Sequence, residues 1–146
     1  MSSPAPAPRS LEPTVRPHHV LLVDDTADNR ELYAFYLMSE GYRVTQAAAG
    51  LEALREVERD PPDIVVTAIG LPDIRGLDVC RRIKAQPSLK DTRMLAFTAW
   101  PLTDARLDRA SEAGAEALLL LPCLPEILLA RIRSLLEEPS ASPRAV

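Results

Sequence analysis

The stretch Val20-Leu21-Leu22-Val23-Asp24-Asp25-Thr26-Ala27-Asp28-Asn29-Arg30 is an apolar run that stops on two adjacent carboxylates. The run has strand length and no polar alternation, the pattern of a strand covered on both faces in a parallel sheet. A dinucleotide-binding fold would follow such a strand with G-x-G-x-x-G. Asp24-Asp25 stands there instead, so no phosphate loop opens the next helix. Two neighbouring carboxylates at the end of a buried strand repel each other and lose hydration. Either they are kept for a cation or a hydrogen-bond network, or one is exposed while the other caps a helix starting at Thr26 to Asn29.

Working outward, four further apolar runs of strand length follow: Tyr42 to Ala47, Ile64 to Thr67, Met94 to Thr98 and Ala117 to Leu121. Between the runs the spacing turns helical, as in Leu32, Phe35 and Tyr36, and in Leu124, Ile127, Leu128, Ile132 and Leu135. Gly41 stops the first helical stretch, Pro61-Pro62 closes the second, and Gly76 opens the third after a loop containing Pro72. The pattern is (βα)5, an α/β class with a doubly wound, five-stranded parallel sheet and helices on both faces. A ligand site in such a fold lies at the carboxyl ends of the strands.

With 146 residues and 47% apolar content the chain holds one core and one domain, expected over residues 19–138. The leading segment 1–18, where Pro4, Pro6 and Pro8 alternate with alanine, and the segment 139–146 read as disordered tails. The net charge of -4 gives no basic excess to draw the chain onto nucleic acid or anionic lipid. No apolar run reaches the length of a membrane span, and the reading is cytoplasmic. Cys80 and Cys123 lack zinc or redox spacing and read as free core thiols. His18 and His19, side by side where the tail meets the first run, read as a solvated edge without function.

The stretch Val20 to Arg30 resembles the opening of the receiver domain of bacterial response regulators, a flavodoxin-like fold, and the match continues in register to about Leu136. Asp63-Ile64-Val65-Val66-Thr67-Ala68-Ile69-Gly70-Leu71-Pro72-Asp73-Ile74-Arg75-Gly76 is similar to that family's third strand and following loop. Thr98-Ala99 matches the end of its fourth strand, and Leu121-Pro122 its Lys-Pro pair, where the bond before proline is typically cis. The resemblance implies a signalling module that carries no enzymatic reaction of its own beyond accepting phosphate. A strand-end aspartate takes a phosphoryl group from the phosphohistidine of a kinase, Mg²⁺ held by an acidic pair offsets the charge, and a lysine grips the phosphoryl oxygen. A hydroxyl and an aromatic on the fifth strand then switch the surface.

Carried over by residue, Asp24 and Asp25 match the acidic pair, Gly70 the carbonyl donor to the metal, and Thr98 the switch hydroxyl. The phosphoacceptor position is Ala68, the lysine position Leu121 and the switch-aromatic position Leu118. A methyl group has no nucleophilic atom, so the covalent step is lost. Losing acid and lysine together keeps two net negative charges in the pocket, as Asp24 and Asp25 alone supply. The expectation is a pseudo-receiver of two-component or phosphorelay signalling that needs no cofactor, binds Mg²⁺ weakly, and acts by contact with a histidine kinase or a downstream protein. The contact face implied by analogy, also a possible homodimer surface, runs over Leu102 to Ala113, Ala117 to Leu121 and Leu124 to Glu137. Trp100, at the pocket rim, is a candidate partner anchor, a cover for the pocket or a partly exposed packing residue. Asp73, weighed as an alternative phosphoacceptor, reads instead as an ordinary loop acid pointing to solvent. Two alternatives stay open: a phosphorylation-dead variant of a working receiver, and a small-ligand sensor using the emptied pocket.

Overall fold

A computed structural model describes residues 16–137. The expected tails lie, apart from residues 16–18, outside the described residues. Five strands, β1 (His19–Val23), β2 (Arg43–Ala47), β3 (Ile64–Ala68), β4 (Arg93–Thr98) and β5 (Ala117–Leu120), alternate with five helices. The helices are α1 (Ala27–Ser39), α2 (Gly50–Arg59), α3 (Gly76–Lys84), α4 (Asp104–Glu112) and α5 (Pro125–Glu137). All pairings are parallel and the sheet order is β2-β1-β3-β4-β5, so the order reverses beside β1. The flavodoxin-like α/β fold expected from the sequence is the one observed.

Burial follows from strand position. Every residue of the three central strands β1, β3 and β4 is buried, whereas the edge strand β2 carries Arg43 and Gln46 to solvent. Alternate side chains feed two cores. On one face Leu21, Val65, Met94 and Leu118 meet Ala53 and Val57 of α2, Val79, Cys80 and Ile83 of α3, and Ala110 of α4. On the other, Val20, Val66, Leu95 and Leu119 meet Tyr33, Ala34 and Leu37 of α1 and Leu128, Leu129 and Ile132 of α5. Tyr33 also donates its hydroxyl to the Cys123 carbonyl at 2.8 Å, tying α1 to the loop before α5.

Two of the local expectations are corrected. His19 is not a solvated edge: it is the first residue of β1, 3% exposed, and its backbone N–H donates to Asp63 Oδ2 at 2.7 Å. Pairing with β2 and β3 draws it inside, which its position at a boundary did not reveal. Asp73, although its side chain is exposed, does not simply face water. Its Oδ1 accepts from the N–H groups of Gly50 and Ile74, and its Oδ2 from Leu51, each at 2.8 Å. The residue preceding α2 is Ala49, which has no capping oxygen, so a carboxylate from the β3–α3 loop caps the helix from across the sheet's end. Cys80 is buried and its thiol is pushed up to about 12 by burial, which fits an inert core thiol. Cys123 is half-buried and free.

Candidate functional site

The strand register assembles the site. Val23 pairs with Thr67, so Asp24 follows at the level of Ala68; Ala68 pairs with Phe97, one residue before Thr98. Thr98 pairs with Leu120, and the Leu121 N–H donates to the Thr98 carbonyl at 2.8 Å. Asp24, Ala68, Thr98 and Leu121 therefore stand side by side at the carboxyl ends of β1, β3, β4 and β5. The peptide bond between Leu121 and Pro122 is cis, as expected.

The acidic pair divides its labour. Asp25 is exposed, whereas Asp24 is 4% exposed and its Oδ1 accepts the Thr26 N–H at 3.0 Å. Burial raises the Asp24 pKa above the ordinary carboxylate value, Thr26 opposes the shift, and repulsion from Asp25 adds to it. Of the two sequence readings of this pair, the geometry contains one exposed and one buried acid, but the buried one closes a turn onto Thr26, the residue before α1, and caps no N–H of the helix itself. Arg30, inside the opening stretch but given no role there, completes the corner: its Nη1 donates to the Asp24 carbonyl at 2.7 Å and its Nε to Gln46 Oε1 at 3.0 Å. A basic residue one helical turn past an acidic strand end was the available signal.

Around this corner the site is apolar where chemistry would need polar groups. Ala68 is 8% exposed and belongs to the α1/α5 core, and Leu121 packs against that same cluster. Thr98 is buried, and its Oγ1 accepts the Trp100 N–H at 3.1 Å. Leu118 faces the opposite core, 8% exposed, at the wall of a hollow of about 360 Å³ shared with Leu107, Ala110 and Glu116. Gly70 lies exposed in the loop after β3. Trp100 is 66% exposed, with the Arg106 guanidinium 5.6 Å from its ring centroid, so it forms a stacked surface platform.

For a divalent cation the corner offers the Asp24 and Asp25 carboxylates. Among the described residues no three His, Cys, Asp or Glu side chains gather to hold a metal ion. Mg²⁺ accepts one or two carboxylates with water filling its other positions, so the pair suits that ion only as a minimal site. Among the described residues no base is hydrogen-bonded to a nucleophile at this end of the sheet. The arrangement offers carboxylate oxygens, one hydroxyl already engaged and an apolar floor.

The chain as a whole is similar to known proteins. The description "Response regulator receiver domain" matches residues 20–133. The chain is 36% identical over 118 residues to the response regulator PleD of Caulobacter vibrioides, covering 80% of this chain and 25% of PleD. It is 39% identical over 117 residues to the response regulator MprA of Mycobacterium leprae, covering 80% of this chain and 50% of MprA. The chain thus spans half or less of these relatives. It is also similar to the receiver domain of a Pseudomonas aeruginosa sensor histidine kinase, whose structure has a magnesium ion coordinated in the active-site cleft. That likeness has a TM-score of 0.76 and 30% identity, over 84% of this chain and 99% of the other.

Proposed function

Because the chain belongs to the response regulator receiver domain family of two-component signalling, we propose that it is a receiver without phosphoryl chemistry, a module that signals by protein contact. One observation carries the reading. At the end of β3, where receivers hold the accepting aspartate, the side chain is the buried methyl of Ala68, continuous with Leu121 in one apolar cluster. A carboxylate and an ammonium have been exchanged for core. Removing such a pair together leaves no uncompensated charge, whereas removing either alone would.

The remaining groups fit a fixed state. Leu118 is packed inside with no aromatic ring to turn, and the Thr98 hydroxyl, whose oxygen accepts the Trp100 N–H, has no phosphoryl group at Ala68 to donate to. Mg²⁺ binding at Asp24 and Asp25 is weak and serves no transfer. The working surface is the α4–β5–α5 face, where Leu107, Leu120, Leu124 and Ile127 are exposed beside Trp100. Its partner is a histidine kinase or a downstream signalling protein, or a second copy of the chain, met in the cytoplasm.

The test is incubation with acetyl phosphate and Mg²⁺, read by intact mass. The protein as it stands gains no phosphoryl group. Ala68→Asp with Leu121→Lys tests whether the lost pair is the whole defect, and a labile addition of one phosphoryl is expected there. Stable acid-labile labelling of the unaltered chain, on Asp73 or elsewhere, overturns the proposal.

A further inference from the structure

The opposite end of the sheet holds a buried imidazole that the site does not use. His19 Nε2 lies 2.8 Å from Thr45 Oγ1 of β2. Its Nδ1 is buried and has no hydrogen-bond partner among the described residues, with Asp60 Oδ1 4.0 Å away at the end of α2. Asp60 is meanwhile held by Arg43 of β2, Nη1 to Oδ2 at 2.7 Å. The other groups facing the ring are the Pro61 backbone and Asp63, which accepts the His19 N–H. Arg16, His18, His19, Arg43, Asp60 and Asp63 line one hollow of about 370 Å³, so the side chains have room to rearrange.

We propose that His19 is a proton-operated latch at the amino-terminal edge of the sheet. Uncharged, it bonds Thr45 through Nε2 and leaves Asp60 to Arg43. Protonated at Nδ1 from solvent, it draws Asp60 Oδ1 across the 4.0 Å gap, so that the carboxylate is shared between His19 and Arg43, which holds its Oδ2. Arg43 holds Oδ2 of Asp60, so Oδ1 is the oxygen open to the ring, and the charged imidazole gains an ion pair that the neutral one lacks. Burial and Arg43 lower the His19 pKa while Asp60 and Asp63 raise it, which sets the latch to close in acid. The Arg43 N–H donates to the His18 carbonyl at 3.0 Å, so the proton state of His19 is felt where β2 meets the start of β1.

Histidine occurs twice in the chain, so His18→Phe leaves His19 as the sole imidazole and keeps a ring against Tyr42. In that protein the His19 ring shifts and the amides of residues 16, 18, 19, 43, 60 and 63 are followed by NMR from about pH 7.5 to 4.5. The amides are expected to titrate with the ring, and Asp60→Asn is expected to move the ring midpoint to lower pH and to abolish the coupled shift at Arg43. A ring that stays neutral until the protein unfolds overturns the latch. So does a ring that titrates without those amides, or a midpoint that Asp60→Asn leaves in place.

Discussion

Substituting Gly76 by alanine tests the packing that shapes the floor of the site. A Cβ built there falls 1.9 Å from the Ala68 carbonyl oxygen, 2.8 Å from the Ala68 carbonyl carbon and 3.0 Å from Ile69 Cα. All three are backbone atoms, so no side chain can swing aside. Relief to an ordinary contact needs a movement of roughly 1.5 Å by either α3 or the end of β3. The Ala68 carbonyl is held by Thr67 Oγ1 at 2.9 Å, and Gly76 itself donates its N–H to the Ile69 carbonyl at 2.9 Å, so either movement strains this hydrogen bonding. Overpacking costs about 1–3 kcal/mol and a lost backbone bond about 1 kcal/mol more. Against this, alanine gains at most about 1 kcal/mol over glycine in helix propensity. A net loss of about 1–3 kcal/mol remains.

At about 3–5 °C per kcal/mol for a domain of this size, the midpoint should fall by roughly 3–15 °C. The matched control is Gly70→Ala. Nothing lies within 4 Å of a Cβ at Gly70, and its φ is not positive. That change should leave the midpoint unaltered or raise it slightly through the lower entropy of the unfolded chain. Thermal and urea unfolding of the two variants decide the matter. If Gly76→Ala melts within about 2 °C of the parent, or if the two substitutions cost the same, the close approach at Ala68 does not constrain the fold.

Two carboxylates give opposite pH responses. Asp24→Asn should raise the melting temperature at neutral pH: burial and Asp25 disfavour the ionised acid, so its folded pKa exceeds the unfolded one and stability is lost as pH rises through that window. The gain over the parent should vanish below about pH 4, and a destabilised Asn variant at pH 7 would contradict the burial argument. Asp73→Asn should lower the melting temperature at neutral pH, because the Leu51, Ile74 and Gly50 N–H groups hold that carboxyl below its ordinary value. Its contribution is present above the unfolded carboxyl pKa and lost as pH falls through the folded one, so parent and variant should converge in acid, as melting scans would show.

The fold was legible because each central strand is a continuous apolar run, and a run covered on both faces leaves a parallel sheet as its simplest arrangement. The acidic strand end, the alanine on β3 and Leu121 were legible as positions in a known order. The contacts that were not legible all cross between elements. Asp73 caps a helix 22 and 23 residues away, at Leu51 and Gly50, and nothing local to the β3–α3 loop announces it. The sign at α2 was the missing cap at Ala49, which says only that some other group must serve. His19 looked like a boundary residue because its burial comes from neighbouring strands. Arg30 looked like an ordinary helical cation because its partners are a backbone carbonyl and the Gln46 amide.

Arg30 changes the charge argument for the site. Counted from the family positions alone, losing acid and lysine together preserves two negative charges. The structure brings a guanidinium onto the Asp24 carbonyl, so the corner holds two carboxylates and one fixed cation. Arg30 acts on Asp24 as an opposing charge and lowers the pKa that burial raises, although its effect is the smallest of those present. The acidic pair is therefore partly compensated by its own chain, without metal or lysine. A carboxylate at position 68 would add a third acid at the same strand ends, with Leu121 offering it no hydrogen bond. A lysine at 121 supplies the counter-charge as well as a phosphoryl grip, so on the proposed reading the two positions have to be restored together.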